Sequence, residues 1–312
     1  MVTLQERLDR GEVVILDGAT GTELQRRGVP MHGVAWSAAA LMTHPETVRA
    51  VHEDYIRAGA DVITTNSFST ARHLLEKAGM GDRVRELNTR AVTLAREARE
   101  GAARGRPVFI AGSMSTMYPG ADARNRPDTE RAQILYREQA ELLAAAGVDL
   151  IALEMMQDIE LATCAATAAV ATGLPAWIGF SCKPRDDEAT LMLLRGHPFG
   201  TALDAILPLG GSAVTVMHTL TQDIAPALRM VMARWSGPVG AYAHSGDFVM
   251  PNWQWVNMIS PEDYAAEAMM WVAMGTQIIG GCCGIGPEYI RLLKERLPTH
   301  VPPVSERRPA RP

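Results

Sequence analysis

A chain of 312 residues with 47% hydrophobic and 21% charged residues has the composition of an ordinary globular protein and can build a large core without disulfides. A net charge of -5 and a pI of about 5.9 argue against the basic face that a nucleic-acid or anionic-membrane partner favours, and point to a small-molecule substrate. Four cysteines are too few for a disulfide scaffold of this size, so metal binding or catalysis in a reducing, cytoplasmic compartment is the expectation.

Met1 to Gly11 is polar and lacks the apolar run of a signal peptide, and no later stretch reads as a bilayer span. Eight short apolar runs then recur, each followed by helical spacing of apolar residues, the pattern of a parallel sheet with crossover helices. The runs are Val13 to Asp17, Asp61 to Thr65, Pro107 to Ser113, Val148 to Glu154, Pro175 to Ser181, Ser212 to His218, Pro238 to Ala243 and Thr276 to Cys282. Thr43-His44-Pro45-Glu46 starts a helix with proline in its first turn, and Ala58-Gly59-Ala60-Asp61 stops it, as Ala145-Ala146-Gly147-Val148-Asp149 stops a later one. Ser260-Pro261-Glu262-Asp263 supplies a cap, a proline and acidic residues suited to the helix dipole. Eight units without a glycine-rich phosphate loop favour a closed (β/α)8 TIM barrel over an open doubly wound sheet. No linker divides the chain, so residues 1–300 are expected to form one domain, with 301–312, rich in proline and charge, as a flexible tail.

In such a barrel the active site lies where the strands run out, which nominates Asp17, Asn66, Ser113, Glu154, Ser181, His218, His244, Cys282 and Cys283. The sharpest feature is Gly280-Gly281-Cys282-Cys283-Gly284, where glycines let the backbone bring two soft thiolates onto one cation. Two cysteines do not complete zinc's tetrahedron; a third ligand from another strand end would leave the fourth position for substrate. The plain alternative is a pair of small buried residues.

The chain resembles the homocysteine S-methyltransferase family, which includes the betaine-homocysteine and S-methylmethionine-homocysteine enzymes. The resemblance rests on Leu16-Asp17-Gly18-Ala19-Thr20-Gly21-Thr22-Glu23-Leu24, Ala35-Trp36-Ser37-Ala38, Ala58 through Phe68 and Gly280 through Gly284. It implies a barrel whose zinc is held by three cysteines and takes the acceptor thiol as its next ligand. The family's final cysteine pair corresponds to Cys282 and Cys283; its other cysteine, in a short Asn-Cys-Thr motif, corresponds to His218, and imidazole is also a good zinc ligand. His244, leaving the seventh strand, is the substitute should His218 not serve. The resemblance also assigns Asp17 and Gly18 to the first-strand site and Glu154 to the amino group of homocysteine. Asp17 could instead only cap the following turn.

An aromatic face attracts a cationic methyl donor, and Trp36 is best placed by resemblance, ahead of Trp253 and Trp255. Asn66 and Ser113 complete the expected substrate-binding set. The third-strand end Ala111-Gly112-Ser113-Met114-Ser115-Thr116 lacks the family's Gly-Pro turn, and Glu154-Met155-Met156 replaces its usual Glu-Thr, departures that imply a changed donor or acceptor. The resulting expectation is a zinc-dependent transfer of a methyl group from a small onium donor to a thiol such as homocysteine. A zinc hydrolase with Glu154 as base, and a relative that binds thiol or metal without turnover, are the alternatives.

Overall fold

The computed structural model describes residues 2–118, 123–185, 190–249 and 254–302. Trp253 and residues 303–312, which include most of the expected tail, lie outside the described residues.

Eight parallel strands form the sheet: β1 (Val14–Ile15), β2 (Val62–Thr64), β3 (Phe109–Ser115), β4 (Leu150–Met156), β5 (Ala176–Phe180), β6 (Ala213–Leu220), β7 (Val239–His244) and β8 (Ile278–Ile279). Each falls on one of the eight apolar runs. Their order is β1-β8-β7-β6-β5-β4-β3-β2, and a parallel bridge between Leu16 and Val62 joins the two ends, so the sheet closes into a (β/α)8 barrel. Two antiparallel hairpins interrupt the alternation: Cys182–Pro184 with Leu191–Leu193 after β5, and Asp247–Val249 with Gln254–Val256 after β7.

Helix boundaries follow local chemistry. Pro45 opens the helix to Ala58, and Gly59 ends it at φ 114°, a left-handed conformation that costs glycine little; Gly147 does the same at φ 92°. Ser260 accepts the backbone N–H of Asp263 and caps the helix that begins at Pro261.

The apolar interior has two layers. One lies between strands and helices; the other, with Val14, Val62, Ala111, Leu150, Trp177, Ala213 and Ile278, fills the barrel itself. Leu4 and Leu8 of the N-terminal helix (Leu4–Asp9) pack on this inner layer and plug its lower end. Asp61, at the start of β2, accepts the Ile15 N–H at 3.0 Å and faces Arg7, Arg106 and Lys294 at 3.2 to 3.5 Å. This buried carboxylate neutralises cations at the stability face of the barrel, opposite the site.

Two strands leave the regular ladder. The β4–β5 register shifts between Leu153 and Met156, and the β6–β7 register shifts between Met217 and Leu220. Within these irregularities Met155 and His218 have φ of 52° and 45°. A left-handed conformation costs a residue with a side chain about 1–2 kcal/mol, and such a bulge re-aims the side chains around it.

Candidate active site

At the C-terminal end of the strands opens a cavity of about 580 Å³. Eight of the nine strand-end residues nominated from sequence line it: Asp17, Asn66, Ser113, Glu154, His218, His244, Cys282 and Cys283. Ser181 does not; its buried hydroxyl lies 3.2 Å from the Met217 sulfur, behind the wall.

The turn after β8 is fastened on every side. Tyr264 donates to the Gly280 carbonyl at 2.7 Å, and the N–H groups of Gly281, Cys282 and Gly284 reach Asp17 O, Ala243 O and Thr22 Oγ1 at 3.0, 2.8 and 3.2 Å. Gly284 adopts φ 81°, and a methyl there would strike Ser245. The rigid turn presents both thiols to one point. His218 Nδ1 lies 3.6 Å from each sulfur, and the sulfurs are 3.7 Å apart. In a tetrahedral zinc site with bonds of about 2.3 Å to sulfur and about 2.0 Å to nitrogen, ligand atoms sit about 3.8 Å (S to S) and about 3.5 Å (S to N) apart. The three side chains fit that tetrahedron, and the bulge in β6 is what turns His218 toward the cysteines. His244 stands behind, its ring centroid 5.1 Å from that of His218. Contact with Cys283, and secondarily burial, raise the Cys282 thiol well above its ordinary range. A thiolate at neutral pH therefore requires a cation beside it.

Glu154 lies near the C-terminal end of β4, across the cavity. Burial pushes its carboxyl up to about 7, opposed by hydrogen bonds from Ser113 and Tyr242 and by the nearby His218. Ser113 thus serves as a brace on Glu154 in this structure. Burial likewise raises Asp17 to about 8, against two hydrogen bonds at 2.7 Å from the N–H and hydroxyl of Thr64. Asp17 caps no helix; its carboxyl ties β1 to β2 at the cavity floor. Asn66 is engaged on both sides of its amide, accepting from Ser37 Oγ at 2.7 Å and donating to Ser37 O at 2.9 Å. It holds the loop that carries Trp36.

Trp36 itself has φ 43° and closes a short antiparallel bridge with His32. Its indole meets Phe68 edge-on, with centroids 5.9 Å apart, and lies so close to Gly21 that a methyl there would collide with it. Trp255 belongs to the second hairpin, and its side chain lies outside the described positions. Thr64, Tyr242, Tyr264 and Arg195 take part in this architecture without being nominated from sequence. They sit within strands β2 and β7, on a helix or in the excursion after β5, where no spacing marks them.

The profile of the homocysteine S-methyltransferase family matches residues 14–297. Homocysteine S-methyltransferase of Escherichia coli is 30% identical over 319 residues, covering 94% of this chain and 98% of that protein. Betaine--homocysteine S-methyltransferase 1 of Mus musculus is 28% identical, covering 97% and 77%. Among solved structures, the metallated form of the Escherichia coli homocysteine methyltransferase MmuM superposes with a TM-score of 0.76 at 28% identity, covering 93% of this chain and 98% of that one. With a family match over nearly all of the barrel and the same fold in a methyltransferase of known structure, the chain belongs to the homocysteine S-methyltransferase family and is a methyltransferase.

Proposed function

We propose that the protein transfers a methyl group from a small onium compound to the thiol of homocysteine, using zinc held by His218, Cys282 and Cys283. The family's chemistry is methyl transfer, which sets aside the hydrolase and the non-catalytic binder. The observation that carries the metal is the spacing of the three donor atoms, 3.6, 3.6 and 3.7 Å, on the wall of the cavity. Zinc bound there would supply the positive charge that lets a thiol lose its proton near neutral pH.

The chain's own groups do the rest. Glu154, braced by Ser113 and Tyr242, would receive the ammonium group of homocysteine as a carboxylate, so the pairing lowers its raised pKa. Asp17, fastened to Thr64, and Gly18, where a Cβ would strike the Ile285 carbonyl, shape the floor beneath the acceptor. Trp36 would turn its face to the onium group, and Asn66 keeps that loop in place through Ser37. The acceptor sulfur attacks the methyl carbon, the bond from that carbon to nitrogen or sulfur breaks, and the electron pair returns to the leaving atom. The donor loses its positive charge in this step, so a weakly polar, partly enclosed cavity disfavours the reactants' charge separation more than the products'.

Residues 1–300 would act as one catalytic barrel, and its free thiols suit a cytoplasmic, reducing setting. Among the described residues no helix is long and apolar enough to cross a membrane. The test is elemental analysis of purified protein together with methyl transfer to homocysteine from a panel of sulfonium and quaternary ammonium donors. About one zinc per chain and zinc-dependent methionine formation are expected; full activity in metal-free protein overturns the proposal.

A further inference from the structure

The two strand irregularities that shape the site meet at one sulfur atom. Met217 immediately precedes His218, at the start of the β6 irregularity, and is buried in the cavity wall. Its thioether accepts the Met155 N–H and the Ser181 hydroxyl, each at 3.2 Å. Met155 follows Glu154 inside the β4 irregularity at φ 52°, and its carbonyl is held by a second side chain, the Thr116 hydroxyl, at 2.6 Å. The β6 irregularity is pinned from β5 as well: Thr219 Oγ1 donates to the Met217 carbonyl at 2.9 Å and accepts the Cys182 N–H at 3.1 Å. Met217 therefore joins two bulges across 62 residues of sequence, one carrying Glu154 and the other His218.

A left-handed backbone at a residue with a side chain persists only where its surroundings over-determine it. A backbone N–H in a half-buried site also needs an acceptor, and the chain shifts sooner than leave one unpaired. Methionine by itself is a pliable filler with three rotatable side-chain bonds. Two donors on its sulfur fix the torsions that lead to it, and the side chain becomes a tie between strands. Leucine fills nearly the same volume but offers no acceptor. Asparagine is smaller, yet its Oδ1 stands three bonds from Cα, as the methionine sulfur does, and accepts from an N–H.

We propose that Met217 is a positioning residue whose thioether, by holding the Met155 N–H, couples the segment that aims Glu154 at the acceptor to the segment that aims His218 at the metal. This rests on the reading of Glu154 and His218 as the acceptor and zinc residues. Ser181, placed behind the cavity wall, acts as the second donor that fixes the sulfur. Loss of the acceptor atom disturbs both segments together. The loop of Trp36, held by Asn66 and Ser37, takes no support from these bonds.

The experiment compares full-length wild type, Met217→Leu and Met217→Asn in three measurements: calorimetric binding of homocysteine at saturating zinc, zinc affinity against a chromogenic chelator, and hydrogen exchange of the Met155 amide. A thioether is a weak acceptor and Met155 is only half-buried, so the loss falls toward the low end for an unpaired donor. Met217→Leu should bind homocysteine about 5- to 30-fold more weakly, hold zinc less tightly and exchange the Met155 amide faster, with the donor KM within a few-fold of wild type. Met217→Asn should recover part of each loss. Space filling alone predicts the opposite order, because leucine conserves the volume and asparagine does not. A Met217→Leu protein that matches wild type, or Met217→Asn no better than Met217→Leu, overturns the proposal. Should Met217→Leu not fold, Ser181→Ala supplies the reading: losing one of the two bonds to the sulfur should move all three measurements the same way by a smaller factor, and no movement overturns the proposal. Failure of the wild type to bind zinc or homocysteine would instead overturn the methyltransferase reading of the site, while exchange of the Met155 amide still decides what the sulfur does.

Discussion

The substitution Glu154→Gln tests the acceptor site most directly, because it keeps the shape of the side chain and its hydrogen-bonding partners while removing its charge. The wild-type carboxyl is raised to about 7, burial being the main cause. It must be ionised to hold an ammonium group, so below pH 7 acceptor binding has to expel a proton. Each pH unit below that point costs about 1.4 kcal/mol, and at pH 5 the carboxylate has lost about 2.7 kcal/mol of its advantage. Above pH 7 the advantage is full. A hydrogen bond to a charged group contributes about 1.5–3 kcal/mol, which is roughly 10- to 150-fold in affinity. The amide should therefore bind homocysteine that much more weakly at pH 8 and within a few-fold of wild type at pH 5. Calorimetric titration of both zinc-loaded proteins across this range supplies the ratio, and taking the ratio removes the pH dependence of the thiol, which both proteins share. A ratio that is flat with pH, or equal affinities at pH 8, refutes the assignment of Glu154 to the ammonium group.

Cys282→Ala should lose metal and methyl transfer together, yet keep the barrel's circular dichroism and cooperative unfolding, because both cysteines line the cavity and are only partly buried; a zinc-replete variant would show the ligands to be misassigned. His218→Cys should keep zinc, make the ligand set one charge more negative, move thiol activation to higher pH and favour cationic donors, whereas His218→Ala should bind zinc more weakly. Wild-type metal affinity and pH profile in both variants would exclude His218 as a ligand. Gly21→Ala gains about 1 kcal/mol of helix propensity but drives a methyl into the Trp36 indole, a clash costing about 1–3 kcal/mol. It should raise the donor KM and lower stability to urea, and a fully wild-type variant would place Trp36 outside the donor site.

The barrel was legible in the sequence because its rules are local. Fully buried parallel strands read as short apolar runs, and helix ends carry their own chemistry, as Pro45, Gly59, Gly147 and Ser260 do. Since every strand in this architecture ends at the same face, the periodicity alone also placed Asp17, Glu154 and the Cys282–Cys283 pair at one mouth. Ser181 shows where that reasoning stops. Strand ends alternate between facing the cavity and facing away, and a single register step puts Ser181 behind Met217. Nor does sequence spacing reveal that bulges at Met155 and His218 leave the regular ladder, since the left-handed backbone there is held by neighbouring strands against its intrinsic cost. The same is true of the partners that set the chemistry. Ser113 and Glu154 are 41 residues apart, Asp17 and Thr64 are 47 apart, and Arg195 reaches Tyr118 from an excursion after a different strand. Which polar groups a residue meets, and so the direction of its pKa shift, depends on contacts between distant segments that only closure of the barrel creates.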